Sequence, residues 1–156
     1  MRVEDLMTSQ VFTVEQHDMI DRVFFLLHYE KVRHLPVIEK GKVIGIVSDR
    51  DLYKALGPKS NSNSVETVEG KTVLQVVPQK VQHIMRRGVL TVNPDTYASE
   101  AASIMAENKV GALPVVDHNN KLVGIVSATD ILRVFAKIEK ASEEREKRIA
   151  AGVSHT

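Results

Sequence analysis

The chain contains one unit twice, and that repeat limits its fold more than any other feature. A shift of 78 positions lays Val3 on Val81, Met7 on Met85, and Val11, Thr13 and Val14 on Val89, Thr91 and Val92. The same shift lays Lys31-Val32 on Lys109-Val110 and Leu35-Pro36-Val37 on Leu113-Pro114-Val115. One extra residue in the second turn (Asn119 or Asn120) changes the shift to 79. Gly45-Ile46-Val47-Ser48 then meets Gly124-Ile125-Val126-Ser127, and Asp51 meets Asp130. About sixteen identities over some fifty positions are too many for accident. The 156 residues are therefore two small halves sharing one fold.

Each copy has the same layout. Val11–Val14 and Val89–Val92 read as short extended segments. Asp18 and Thr96 stand where helix N-caps would, ahead of a helical period carrying Ile20, Val23, Phe24 and Leu27 in one copy and Ala98, Ala101, Ala102 and Met105 in the other. The small residues of the second face predict a closer neighbour there. Leu35–Ile38, the turn Lys40-Gly41 and Val43–Val47 read as a hairpin, repeated around His118-Asn119-Asn120. A helix follows each Ser-x-x-Asp step. Gly57–Ser64 reads as an exposed loop, and Thr72–Val77 as either a strand or a short helix. Residues 137–150 are rich in Lys, Glu and Arg and predict a final helix running into solvent, with 152–156 frayed. The divisions are thus 1–56 and 81–136 for the repeats, 57–80 for the linker and 137–156 for the tail.

Composition removes several function classes. With no cysteine there is no disulfide, thiolate catalysis or Cys-ligated metal. A net charge of +1 gives no general pull towards nucleic acid or acidic lipid. No signal-peptide core or membrane-length apolar run is present, so the expectation is a soluble cytoplasmic protein without membrane or nucleic-acid partners. The histidines lack metal-ligand spacing, Arg86-Arg87 reads as a solvated loop pair, and no nucleophile motif, Walker loop or dinucleotide fingerprint occurs. Asp49 and Asp51 are near neighbours, but nothing else supports a general acid/base pair. The expectation is no enzyme, no metal and no required cofactor.

The Ser-x-x-Asp step itself has two readings. Ser followed by an acid three residues on approximates a capping box, worth on the order of 1 kcal/mol to a helix with no ligand present. A helix start also offers unpaired N–H groups and a positive dipole end to an anion. The readings are compatible, since a ligand can replace a cap.

The order strand, helix, hairpin, Gly-h-h-Ser-x-x-Asp, helix, given twice, resembles the tandem CBS-domain pair, or Bateman module. The resemblance rests on Leu6-Met7-Thr8 and Ile84-Met85, the Leu-Pro-Val strands and the two Gly-Ile-Val-Ser-x-x-Asp ends. It implies an α/β fold of two β-α-β-β-α repeats packed about a pseudo-twofold axis. It also implies clefts for adenine nucleotides or adenosyl ligands, and dimerisation through helices. Carried over, the ribose-holding carboxylates fall on Asp51 and Asp130, and the hydroxyls near phosphate on Ser48 and Ser127. Ile46 and Ile125 become the apolar wall, and Arg50 and Thr129 the variable position before the Asp. Thr13 and Thr91 fall near the adenine. Arg33-His34 and their counterparts Gly111-Ala112 fall at positions that often reach phosphate, which predicts unequal sites with the phosphate-rich one near Arg33 and His34. The expectation is a stand-alone regulatory sensor binding AMP, ADP or ATP, forming a homodimer and signalling in trans to a protein partner. The alternatives are an interaction module with empty clefts and a binder of another adenosyl ligand such as S-adenosylmethionine.

Overall fold

The computed structural model describes residues 1–56, 65–69, 71–74 and 78–152. The expected loop at 57–64, part of the undecided stretch at 75–77 and the frayed end at 153–156 lie outside them. In the first repeat α1 (Ile20–Tyr29), β1 (His34–Glu39), β2 (Lys42–Ser48) and α2 (Asp49–Leu56) follow in order. A hairpin of β3 (Val65–Val68) and β4 (Lys71–Leu74) comes next. The second repeat gives α3 (Ala98–Asn108), β5 (Ala112–Val116), β6 (Leu122–Ser127) and α4 (Ala128–Ala150). The part of the undecided stretch that is described, 72–74, is strand, and its partner β3 was not expected. The signal for β3 was the β-branched Val65, Thr67 and Val68.

The hairpin expected in each repeat forms. His34 pairs with Ser48 and Ala112 with Ser127, and each hairpin has an irregularity at the same place, after Val37 and after Val115. The lead-in segments are extended and join the sheets through single bridges, Val14 parallel to Val37 and Val92 parallel to Val115. Asp18 and Thr96 do not cap the helices. Asp18 Oδ2 accepts the Glu15 N–H at 2.8 Å, and Thr96 Oγ1 accepts the Asn93 N–H at 3.0 Å. Both close the turn before the helix, and Met19 and Tyr97 occupy the N-cap positions without a side-chain bond.

The repeats exchange their first residues. Val3–Asp5 forms a short 3₁₀ turn whose Val3 is buried with Val92, Met105 and Leu113 of the second repeat. Val81–His83 forms its counterpart, with Val81 buried among Val23, Leu35 and Val47 of the first. The backbone follows: Thr8 bridges antiparallel to Ile125 of β6, and Arg86 to Ile46 of β2. The hairpin of each repeat therefore has its own lead-in on one side and the other repeat's lead-in on the opposite side. Such reciprocity is what a pseudo-twofold relation produces. Strand alternation then puts Val47 and Val126 in the two cores and turns Ile46 and Ile125 to the opposite face.

Candidate functional site

The exchange brings the ends of β2 and β6 to one cleft. Its volume is about 1010 Å³, at the upper end of the range for small-molecule sites. Lining residues come from both repeats. They include Arg33, His34, Ile46, Ser48, Arg50 and Asp51 from the first and Gly111, Ala112, Ile125, Ser127, Thr129 and Asp130 from the second. Twelve of the fourteen residues proposed from sequence are thus together. Thr13 and Thr91 are half-buried in the lead-ins and do not line it.

Both Ser-x-x-Asp steps make reciprocal bonds. At the second, Asp130 Oδ2 accepts the Ser127 N–H at 2.8 Å, and Ser127 Oγ accepts the Asp130 N–H at 3.2 Å, a complete capping box for α4. At the first, Asp51 Oδ2 accepts the Ser48 N–H at 2.9 Å and the Ser48 hydroxyl at 3.0 Å. Asp51 Oδ1 accepts from Nε of Arg86 at 3.1 Å. Asp51 is only 9 % exposed, so this ion pair sits against a nearly buried carboxylate. Arg86 is exposed, as the sequence reading has it, but the bridge to Ile46 also carries the residue across the repeats and onto Asp51.

His34 stands where the repeats meet. An added Cβ at Gly111 would lie 3.1 Å from His34 Nε2, so the imidazole fills space that the glycine leaves open. Gly111 is the counterpart of Arg33, and the copies thus differ in a complementary way. Burial lowers the His34 pKa from its usual 6.5; Asp49 opposes the shift, Arg33 adds to it, Asp51 opposes it and Arg50 adds to it. The imidazole is accordingly a neutral donor and acceptor at pH 7.

Several lining residues escaped the sequence reading. Lys31 and Lys109 occupy matching left-handed positions just after α1 and α3, with φ of 55° and 54°. Arg133 lies one turn into α4, its Nη1 3.8 Å from Asp130 Oδ1. Thr8, Gln10, Val11 and Phe12 of the first lead-in also line the cleft, whereas Val89 and Leu90 of the second do not. Identity between copies pointed to the lysines. Difference between copies pointed to Arg86, which stands where the first copy has Thr8. In all, Lys31, Arg33, Arg50, Arg86, Lys109 and Arg133 face Asp49, Asp51 and Asp130, an excess of three positive charges in a chain of net charge +1. Among the described residues no group of three or more His, Asp or Glu side chains is placed to hold a metal ion, and no helix is long and apolar enough to cross a membrane.

The CBS domain profile matches residues 3–58 and 81–137. An uncharacterised protein of Methanocaldococcus jannaschii is 31% identical over 134 residues, covering 86% of this chain and 47% of that protein. The chain spans less than half the length of this and other curated relatives, 24% of a homoserine O-acetyltransferase of Methanococcoides burtonii among them. The CBS domain pair of protein MJ0100, crystallised with 5′-methylthioadenosine and S-adenosyl-L-methionine, superposes with a TM-score of 0.73 at 26% identity, over 88% of this chain and 97% of that one. The CBSX2 structure in complex with AMP gives a TM-score of 0.70 at 30% identity, over 88% and 98%.

Proposed function

The chain belongs to the CBS domain family, as a tandem pair, and from that membership we propose that it is a regulatory sensor binding AMP, ADP or ATP between its repeats. The observation that carries this reading is the cleft itself. It joins both Ser-x-x-Asp steps and holds six cationic side chains against three carboxylates. A ligand with phosphates gains from that excess, whereas the sulfonium of S-adenosylmethionine adds a like charge to it. Ser48, Asp51, Ser127 and Asp130 are the proposed ribose and phosphate contacts, Ile46 and Ile125 the apolar wall, and Arg33 and Arg50 phosphate partners. The resemblance to pairs crystallised with AMP and with adenosyl compounds supports the adenosine part of the ligand.

Signalling follows from the exchange of lead-ins. Each end of the cleft is built by both repeats, so a ligand held there favours one relative orientation of the two. That orientation, in a homodimer associating through its helices, is read by a protein partner. The module acts by binding.

A thermal-shift panel of AMP, ADP, ATP and S-adenosylmethionine tests the reading. A native-state ligand at 100 times its Kd adds about 2.7 kcal/mol, and each kcal/mol moves the midpoint of a chain this size by roughly 2–4 °C. The phosphate nucleotides are expected to shift it by several degrees, with Asp51→Ala and Asp130→Ala each removing the shift of its own end. A larger shift with S-adenosylmethionine would transfer the assignment to that ligand. No shift with any of them would leave an interaction module whose motifs only cap helices.

A further inference from the structure

Arg86 makes the two ends of the cleft chemically different. Its counterpart in the first copy is Thr8, and both residues lie against the other repeat's strand, Arg86 on Ile46 and Thr8 on Ile125. At the Asp51 end both carboxylate oxygens are engaged, Oδ2 by Ser48 and Oδ1 by Arg86 at 3.1 Å. At the Asp130 end Oδ2 is engaged by Ser127, but Oδ1 has the Arg133 guanidinium only at 3.8 Å, beyond hydrogen-bond length. An uncharged diol approaching Asp130 therefore meets an oxygen with free lone pairs. Approaching Asp51, it competes with a charge-assisted bond to a nearly buried carboxylate.

The backbone of Arg86 is fixed by two bonds to Ile46, while its guanidinium lies largely in solvent. Its side chain is 60% exposed, against 8% for that of Asp51, so the guanidinium can turn without disturbing the core. Turning away unpaired would leave Asp51 short of a partner, a costly change for a carboxylate so little exposed. A ligand that offers hydroxyls to Asp51 and a phosphate to Arg86 satisfies both groups at once. A nucleoside offers only the first. Resting on the nucleotide reading above, we infer that Arg86 is a specificity-determining residue: it makes the Asp51 end accept phosphorylated nucleosides and reject uncharged ones, by trading its bond to Asp51 for one to the ligand's phosphate. The Asp130 end, with Thr8 in that position, lacks this filter.

The test is calorimetric titration of the Asp130→Ala chain, which silences the other end, with AMP and with adenosine. The Asp130→Ala chain is expected to bind AMP at least tenfold more tightly than adenosine. Adding Arg86→Thr, which copies the first repeat, is expected to weaken AMP and not adenosine, so that the ratio falls by tenfold or more. Arg86→Lys, keeping the charge and losing the fork, is expected to fall between. A thermal melt of each variant establishes folding, and Arg86→Gln replaces Arg86→Thr should the latter not fold. An AMP-to-adenosine ratio that Arg86 variants leave unchanged overturns the inference while the nucleotide reading stands. So does an Asp130→Ala chain that binds neither compound although the parent binds AMP. A parent chain that binds no adenine nucleotide overturns both.

Discussion

Two methionine sulfurs account for the glycine that begins each repeated step. A Cβ at Gly124 would lie 2.7 Å from Met7 Sδ and 3.1 Å from the Thr8 carbonyl oxygen, and one at Gly45 2.9 Å from Met85 Sδ and 3.0 Å from the Arg86 carbonyl oxygen. Neither glycine has a positive φ, so backbone freedom is not the reason. The reason is close approach: Thr8 and Ile125 exchange backbone bonds at 2.9 Å each, which needs the crossing strand pressed against β6. Gly124→Ala is therefore expected to destabilise the chain by about 1–3 kcal/mol, the range for overpacking. Met7→Ala in the same chain should recover part of it, since the sulfur is the nearer neighbour. Urea midpoints of the single and double variants decide the matter. A Gly124→Ala chain as stable as the parent would mean that the lead-in does not cross so tightly.

At the scale of elements, the crossing lead-ins decide which sequence signals could be read. Helix α1, the hairpins of the two repeats and the ends of β2 and β6 rest on local periodicity and on the repeat, at a shift of 78 and then 79, and they form as those signals require. Arg86 on Asp51 does not. The two residues are 35 positions apart and belong to different copies, so no local pattern joins them. Asp18 and Thr96 misled for a related reason, because an Asx or Thr side chain before a helix satisfies either the helix start or the turn leading into it. The exchange also predicts where damage appears. Val3→Ala removes two buried methyl groups, a change expected to cost about 2 kcal/mol, and the loss should be felt in the repeat to which Val3 does not belong by sequence. Hydrogen exchange is expected to quicken most in α3 and β5, whose Met105 and Leu113 pack with Val3, and least in α1 and β1. Faster exchange confined to α1 and β1 would reverse the assignment of Val3 to the second core.

For the molecule as a whole, the helices carry apolar side chains that the other described residues leave exposed. Phe25 and Tyr29 stack on the outside of α1, with ring centroids 5.6 Å apart, beside a cavity of about 440 Å³ lined by Met19, Asp21, Arg22, Phe25 and Leu26. On α4, Leu132, Phe135 and Ile138 are each at least 60% exposed. The small residues of α3 are a weaker basis for association than their spacing implied: Ala101 is buried against its own core, and Ala98 and Ala102 are half-buried. Exposed aromatic and branched side chains on two helices favour a second copy, because a patch that repeats on an identical chain can close on itself about a twofold axis. Such an assembly would leave the cleft open, since none of Phe25, Tyr29, Leu132, Phe135 and Ile138 lines it. Light scattering at micromolar concentration is expected to give twice the chain mass of 17.4 kDa. The double variant Phe135→Glu/Ile138→Glu is expected to give the single mass and still to respond to nucleotide in the thermal-shift assay. A parent chain that scatters as a monomer would remove the dimer from the signalling scheme. A charged double variant that stays dimeric would move the interface off α4.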